Sequence, residues 1–148
     1  RLCGQRPRPA EHGYSQENQT TIGTFQLIKM ANREFVRLVR QAYGEIPLQV
    51  IKTLDNVDVV VEEWPGPEEE DMLGGDGTLF GLYTGVPLTE REAGDPMLPD
   101  RIAIYRQPIL RNCSSRTEAE REIKITLWHE IGHYLGLSED ALHKLGYG

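Results

Sequence analysis

Residues 129–133 read His-Glu-Ile-Gly-His, an H-E-x-x-H pattern close to the C-terminal end of the sequence. On a helix, positions i and i+4 share a face with Cβ atoms ~5–6 Å apart, so two imidazoles at this spacing can close on one cation. Glu130 directly follows the first histidine and projects beside such an ion, within reach of a bound water. The pattern therefore has a mechanical reading, with His129 and His133 as zinc ligands and Glu130 as the general base of a metalloprotease. A catalytic zinc lowers the pKa of a bound water to ~7 and polarises a carbonyl. Glu130 would take the water's proton and later deliver it to a leaving amine. A second electrophile often assists, and Tyr147, Tyr134, Tyr83 and Arg101 are the candidates for it.

A catalytic zinc typically takes three protein ligands and keeps one position open. After His133 the chain passes Gly136, which lets the backbone turn, and reaches Glu139 three residues later. This is the spacing H-E-x-x-H-x-x-G-x-x-H with a carboxylate in place of the last histidine. Glu139 is the first choice for third ligand and Asp140 the next. Ser138 also reads as the N-cap of a last short helix, where both acids would favour the positive helix end. One residue can do both jobs. His143 reads better as a helix-surface residue, and His12 lies in a polar tail. A structural zinc site is normally closed by four ligands, often including cysteine. Cys113 stands about four helical turns before His129, too far along a straight helix to join it.

The elements that must position these groups are legible nearby. Ser115 and Glu118 form an S-x-x-E capping box at the start of a helix that runs into the motif. Ile123, Leu127, Ile131 and Leu135 recur every fourth residue and predict a core-facing stripe, with the histidine pair on a different face. Gly136 supplies a C-cap. Upstream, a helix is expected over residues 25–43, ended by Gly44, and a short one from Pro47 through Leu54. A continuous valine run predicts a strand over 57–61 that is buried on both faces. Residues 62–78 read as a solvated loop with seven acids and no base. Strands near 79–84 and 101–106 complete a small sheet.

Several of these segments, in this order, resemble the bacterial zincin-like metallopeptidases sometimes called minimal zincins. The carriers are TLWHEIGHYLGLSED at 126–140 and LHKLGY at 142–147, with VDVVVEE at 57–63, LFGLYTGVPLTER at 79–91 and LPDRIAIYR at 98–106 upstream. The resemblance runs from about residue 30 to the end. It implies a small α+β domain, a short mixed sheet packed on helices, an active-site helix near the C-terminus, one zinc site and peptidase activity. The family's pattern carries Asp at the position of Glu139; Glu keeps the carboxylate and lengthens it by one methylene. In zincins generally an exposed sheet edge beside the active-site helix binds substrate as an added strand, and segment 79–86 is the candidate here.

The composition agrees. A length of 148 residues suits one domain, taken as residues 24–148 behind a polar, turn-rich tail at 1–23 expected to be disordered. A net charge of −7 with no basic patch argues against nucleic acid and anionic membranes as partners. No apolar run approaches ~20 residues and no signal peptide is evident, so the expected location is the cytoplasm. Cys3 and Cys113 are far apart and do not by themselves argue for a disulfide. The expected partner is a peptide or protein substrate. Two other readings stay open: a catalytically weak, zinc-containing binding or regulatory module, and a zinc amidohydrolase acting on a non-peptide amide.

Overall fold

The computed structural model describes residues 5–7, 28–71, 77–94 and 99–147. In chain order these form β1 (Gln5–Pro7), α1 (Asn32–Gly44), α2 (Leu48–Ile51), β2 (Val57–Glu62), α3 (Pro67–Asp71), β3 (Gly77–Leu79) and β4 (Gly81–Thr84). A 3₁₀ turn (Leu88–Glu90), β5 (Asp100–Tyr105), α4 (Arg106–Arg111), α5 (Arg116–Tyr134) and α6 (Glu139–Lys144) follow. The architecture is α+β, as the sequence predicts.

The main sheet has the order β2-β5-β4. β2 runs parallel to β5, with Val57 beside Asp100 and Val61 beside Ile104, while β4 runs antiparallel to it, with Gly81 beside Ile104. β5 is the centre of the sheet, and its alternate residues feed two cores. Ile102 and Ile104 join α1 and α5 in the large core with Phe35, Leu38, Ile123, Leu127 and Ile131. Ala103 and Tyr105 face the other way, onto Leu79 and Leu82. α5 crosses the helix-covered face of the sheet and touches α1, α4, α6, β4 and β5. The predicted stripe is the reason: Ile123 and Leu127 are fully buried, Ile131 nearly so, and Leu135 packs at the margin. Burying a side chain of this size contributes roughly 1.5–3 kcal/mol each.

The helix begins where the capping box predicts. The Ser115 hydroxyl accepts from the Glu118 amide at 3.1 Å. The reciprocal half is shifted by one residue, because the Glu118 carboxylate accepts from the Ser114 amide and hydroxyl at 2.9 and 2.6 Å.

Other elements depart from expectation. β2 is half-buried, since it lies at one side of the sheet and β5 takes the doubly covered position. Residues 28–31 are not helical, and α1 starts at Asn32. Arg106 explains the delay: it grips Glu63 with two hydrogen bonds, at 2.8 and 2.9 Å, and donates a third to the Met30 carbonyl at 2.6 Å. The acidic loop contains α3, which opens on Pro67, a residue suited to the first helical position. α4 was not expected, and Pro108 sits in its first turn, where a missing N–H costs nothing. Of the expected tail, Gln5–Pro7 pair antiparallel with β3, and the rest lies outside the described residues, as do Cys3 and His12.

Candidate metal centre

His129 and His133 lie on the part of α5 that the rest of the chain folds over, not on an open face. They are 4% and 5% exposed, which makes their environment one of protein rather than water. Their Nε2 atoms stand 3.1 Å apart. Glu139, at the start of α6, brings Oε1 to 2.8 Å from Nε2 of His133 and 3.3 Å from Nε2 of His129. Among the described residues this is the group of histidine and acidic side chains that could hold a metal ion.

The donor set suits a cation. Tyr147 places its backbone carbonyl 2.6 Å from Nδ1 of His129. A carbonyl only accepts, so Nδ1 carries the proton and the neutral ring shows a lone pair at Nε2. A hydrogen bond to the backbone at Leu137 favours the protonated form of His133, while its Nε2 faces the cluster. Both Nε2 atoms and the Glu139 carboxylate thus converge on one point, and a cation there could take a lone pair from each ring. The spacings lie at or slightly inside the ~3.3 Å edge of a tetrahedron with ligands ~2.0–2.1 Å from zinc. Burial holds His133 below the usual imidazole range, opposed by Glu139 and reinforced by His129. Burial therefore favours the neutral form that a metal needs.

The local sequence builds this triangle by placing α6. α5 ends in a Schellman motif: the Gly136 amide donates to the His133 carbonyl at 3.0 Å and the Leu137 amide to the Gly132 carbonyl at 2.9 Å. Gly136 has φ +87°, and a Cβ there would lie 2.3 Å from Oγ1 of Thr89. The chain then turns back and α6 opens on Ser138, whose hydroxyl accepts from the Ala141 amide at 3.1 Å. Leu142 seats on Gly132, where any Cβ would come within 2.3 Å of its Cδ2. The glycine inside the motif is thus the socket for α6. Glu139 stands in the first turn of α6, next to the Ser138 cap, and closes the triangle, so its two readings coexist.

Glu130 leaves α5 on another side. Its side chain is fully buried, and Oε2 accepts from the Tyr83 amide at 2.8 Å. The Tyr105 amide donates to the Phe80 carbonyl at 2.9 Å, so the bonded rungs of the β4–β5 ladder continue at Leu82 and Thr84. The backbone groups of Gly81 and Tyr83 consequently point away from β5. Glu130 meets β4 along this outer edge, where Gly81 leaves it room: a Cβ there would lie 2.6 Å from Thr126 Cγ2 and 3.3 Å from Glu130 Cγ.

The structure brings together His129, His133 and Glu139 and leaves the other candidates elsewhere. Asp140 is exposed and pairs with Lys144 at 3.0 Å. His143 is an exposed residue in the last turn of α6. Three of the four electrophile candidates have their polar groups engaged, and the fourth, Tyr147, has its ring stacked. The Tyr83 hydroxyl donates to buried Asp100 at 2.8 Å, and Arg91 bonds the same carboxylate. Burial, then the Asp100 carboxylate, pushes the Tyr83 phenol up. Tyr134 donates to the Thr53 carbonyl, Arg101 pairs with Glu62, and the Tyr147 ring stacks on Trp128. Sequence reasoning missed Gly132 as a socket and the Tyr147 carbonyl as a histidine partner. The first had a signal: a glycine inside a buried helix costs about 1 kcal/mol against alanine, so something must approach it closely.

Two buried histidines and a carboxylate on converging helices form a group that could hold a metal ion. The zincin-like metallopeptidase family matches residues 54–148. The chain belongs to that family, which implies a metal at this site. No curated protein matches the chain. A solved structure of a conserved hypothetical protein from Thermus thermophilus is similar, at 29% identity and a TM-score of 0.49, covering 72% of this chain and 94% of that one. No helix among the described residues is long and apolar enough to cross a membrane.

Proposed function

We propose that the protein is a zinc-dependent peptidase with His129, His133 and Glu139 as metal ligands and Glu130 as general base. The convergence of both Nε2 atoms and a Glu139 oxygen, mutually 2.8–3.3 Å apart, carries this reading. The bound ion would supply Lewis acidity and lower the pKa of a water to ~7. Glu130, next to His129 on α5, takes the proton of the attacking water and passes it to the leaving amine. The Tyr83 amide holds one of its oxygens, which restricts the carboxylate to a few orientations. The substrate is a peptide or protein segment. The Tyr83 amide is taken by Glu130, so the Tyr83 carbonyl and the outward backbone groups of Gly81 are what this edge offers for strand pairing, within the segment 79–86 singled out by sequence. The functional unit is residues 24–148, because α1, upstream of the matched region, packs directly on α5.

Elemental analysis of protein purified without added metal tests the centre. The expected result is about one zinc per chain, as a single three-ligand site requires, and none in His133→Ala. A wild type that stays metal-free after zinc reconstitution defeats the proposal. A peptide-library screen with Glu130→Gln then tests the chemistry: zinc is retained and hydrolysis lost. Loss of both together removes the base role from Glu130. Zinc without turnover on any peptide shifts the reading to a binding module or to hydrolysis of a non-peptide amide.

A further inference from the structure

His129 is seated by a part of the chain far from the motif in sequence. We infer that residues 145–147 form a clamp that fixes His129 in its metal-ready tautomer, closed by the ring stack of Tyr147 on Trp128. This rests on the metal reading of the site and makes Tyr147 and Trp128 positioning residues, which the H-E-x-x-H pattern does not contain.

The carbonyl that binds Nδ1 of His129 belongs to the main chain of Tyr147. Any residue at 147 would carry such a carbonyl, so what matters is where it is held. Two devices hold it. The first closes α6: Gly146, at φ +86°, lets its amide donate to the His143 carbonyl at 3.0 Å and the Tyr147 amide to the Leu142 carbonyl at 2.9 Å. This turn aims the next carbonyl at α5. The second is aromatic. The Tyr147 and Trp128 rings lie 5.3 Å apart between centroids and 11° from parallel, an offset stack.

Trp128 immediately precedes His129 on α5. The ring that anchors Tyr147 and the imidazole that receives its carbonyl therefore leave neighbouring positions of one helix. Without the stack, α6 has six residues and one fully buried side chain, Leu142, to keep its far end in place. Helices this short do not hold themselves. The indole N–H of Trp128 meets no partner among the described residues, so what the ring contributes is its face. His133 needs no such clamp, because its backbone partner Leu137 lies in the turn that ends its own helix.

The test is zinc affinity, read by competition with a chromophoric chelator, for wild type, Tyr147→Ala and Tyr147→Phe. Outer partners of ligating histidines typically govern affinity by about 10–100-fold, and Tyr147→Ala should weaken zinc binding in that range. Tyr147→Phe keeps the stack and should bind as wild type does. Zinc affinity unchanged in Tyr147→Ala overturns the clamp, and a Phe variant as weak as the Ala variant overturns the stack as its closure. A wild type that binds no zinc defeats the metal reading instead. Should Tyr147→Ala not fold, Trp128→Phe, with its smaller ring, and the wild type itself decide. Long-range ¹H–¹⁵N spectra of zinc-loaded wild type should show His129 protonated at Nδ1, and a proton on Nε2 would overturn the clamp.

Discussion

The centre draws on two helices of very different character. α5 has 19 residues, a satisfied N-cap, and a buried stripe that touches both the sheet and α1. It delivers His129, Glu130 and His133 at positions that core packing dictates. α6 has six residues and hangs on Leu142, the Ser138 cap and the turn at Gly146. It delivers Glu139 and leads to the Tyr147 carbonyl. The two imidazoles are set by the fold itself. The proposed third ligand and tautomer lock are set by a small element docked on that fold. A site built this way separates folding from metal affinity, since damage to α6 should cost binding before it costs the domain.

The largest effect should come from α5. Leu127→Ala leaves a cavity in the main core and should destabilise the protein by about 2–5 kcal/mol. Thermal unfolding of the metal-free form would show it, and zinc binding should fall only as the folded fraction does. Gly132→Ala should behave in the opposite way. Its new Cβ collides with Leu142, and overpacking of this kind costs about 1–3 kcal/mol. The displaced α6 takes Glu139 and Tyr147 with it, so zinc affinity should drop by more than the loss of stability accounts for. A Gly132→Ala protein that melts early yet binds zinc normally would break the division between the two helices. Glu139→Gln sharpens it further. A neutral amide at this site should weaken zinc binding while leaving the melting temperature of the metal-free protein within a few degrees. Asp140→Asn should do neither, because Asp140 points to Lys144.

What was legible in the sequence follows the same line. α5 could be read from local signals, because its cap, its four-residue stripe and its terminal glycine all lie within one helix. Glu139 was readable for a similar reason, as a short fixed spacing through Gly136. The sheet was harder. The valine run 57–61 looks like a central strand, yet β5 takes the centre, and only the pairing of distant segments decides that. The start of α1 depends on Arg106, about 75 residues downstream, gripping Met30 and Glu63, a tertiary effect that overrides local preference. Three of the four electrophile candidates hold structural partners that the sequence does not show: Tyr83 has Asp100, Tyr134 has Thr53 and Arg101 has Glu62, while Tyr147 has its ring stacked on Trp128. The residue type alone carries no record of such a partner.

The smallest effect concerns protons, and it tests whether the motif histidines belong to the fold as fully as α5 suggests. In the metal-free protein His133 is held below the usual imidazole value of 6.5, chiefly by burial. The unfolded chain then takes up a proton more readily than the folded one. Above about pH 6.5 the ring is neutral in both states and adds no pH dependence. As pH falls below that value the unfolded state gains protons first, and stability declines until the folded-state pKa is passed. The slope from one such group is at most about 1.4 kcal/mol per pH unit. Denaturant melts of wild type in chelator, from pH 7.5 to 5, should show this decline, and His133→Ala should flatten it. Zinc bound at the proposed site would add a second, steeper loss over the same range, because ligation needs neutral imidazoles. If wild type and His133→Ala lose stability in parallel as pH falls, the imidazole is solvated rather than packed. The site would then lie on the surface of the fold, and the contrast between its two helices would fail at its firmer half.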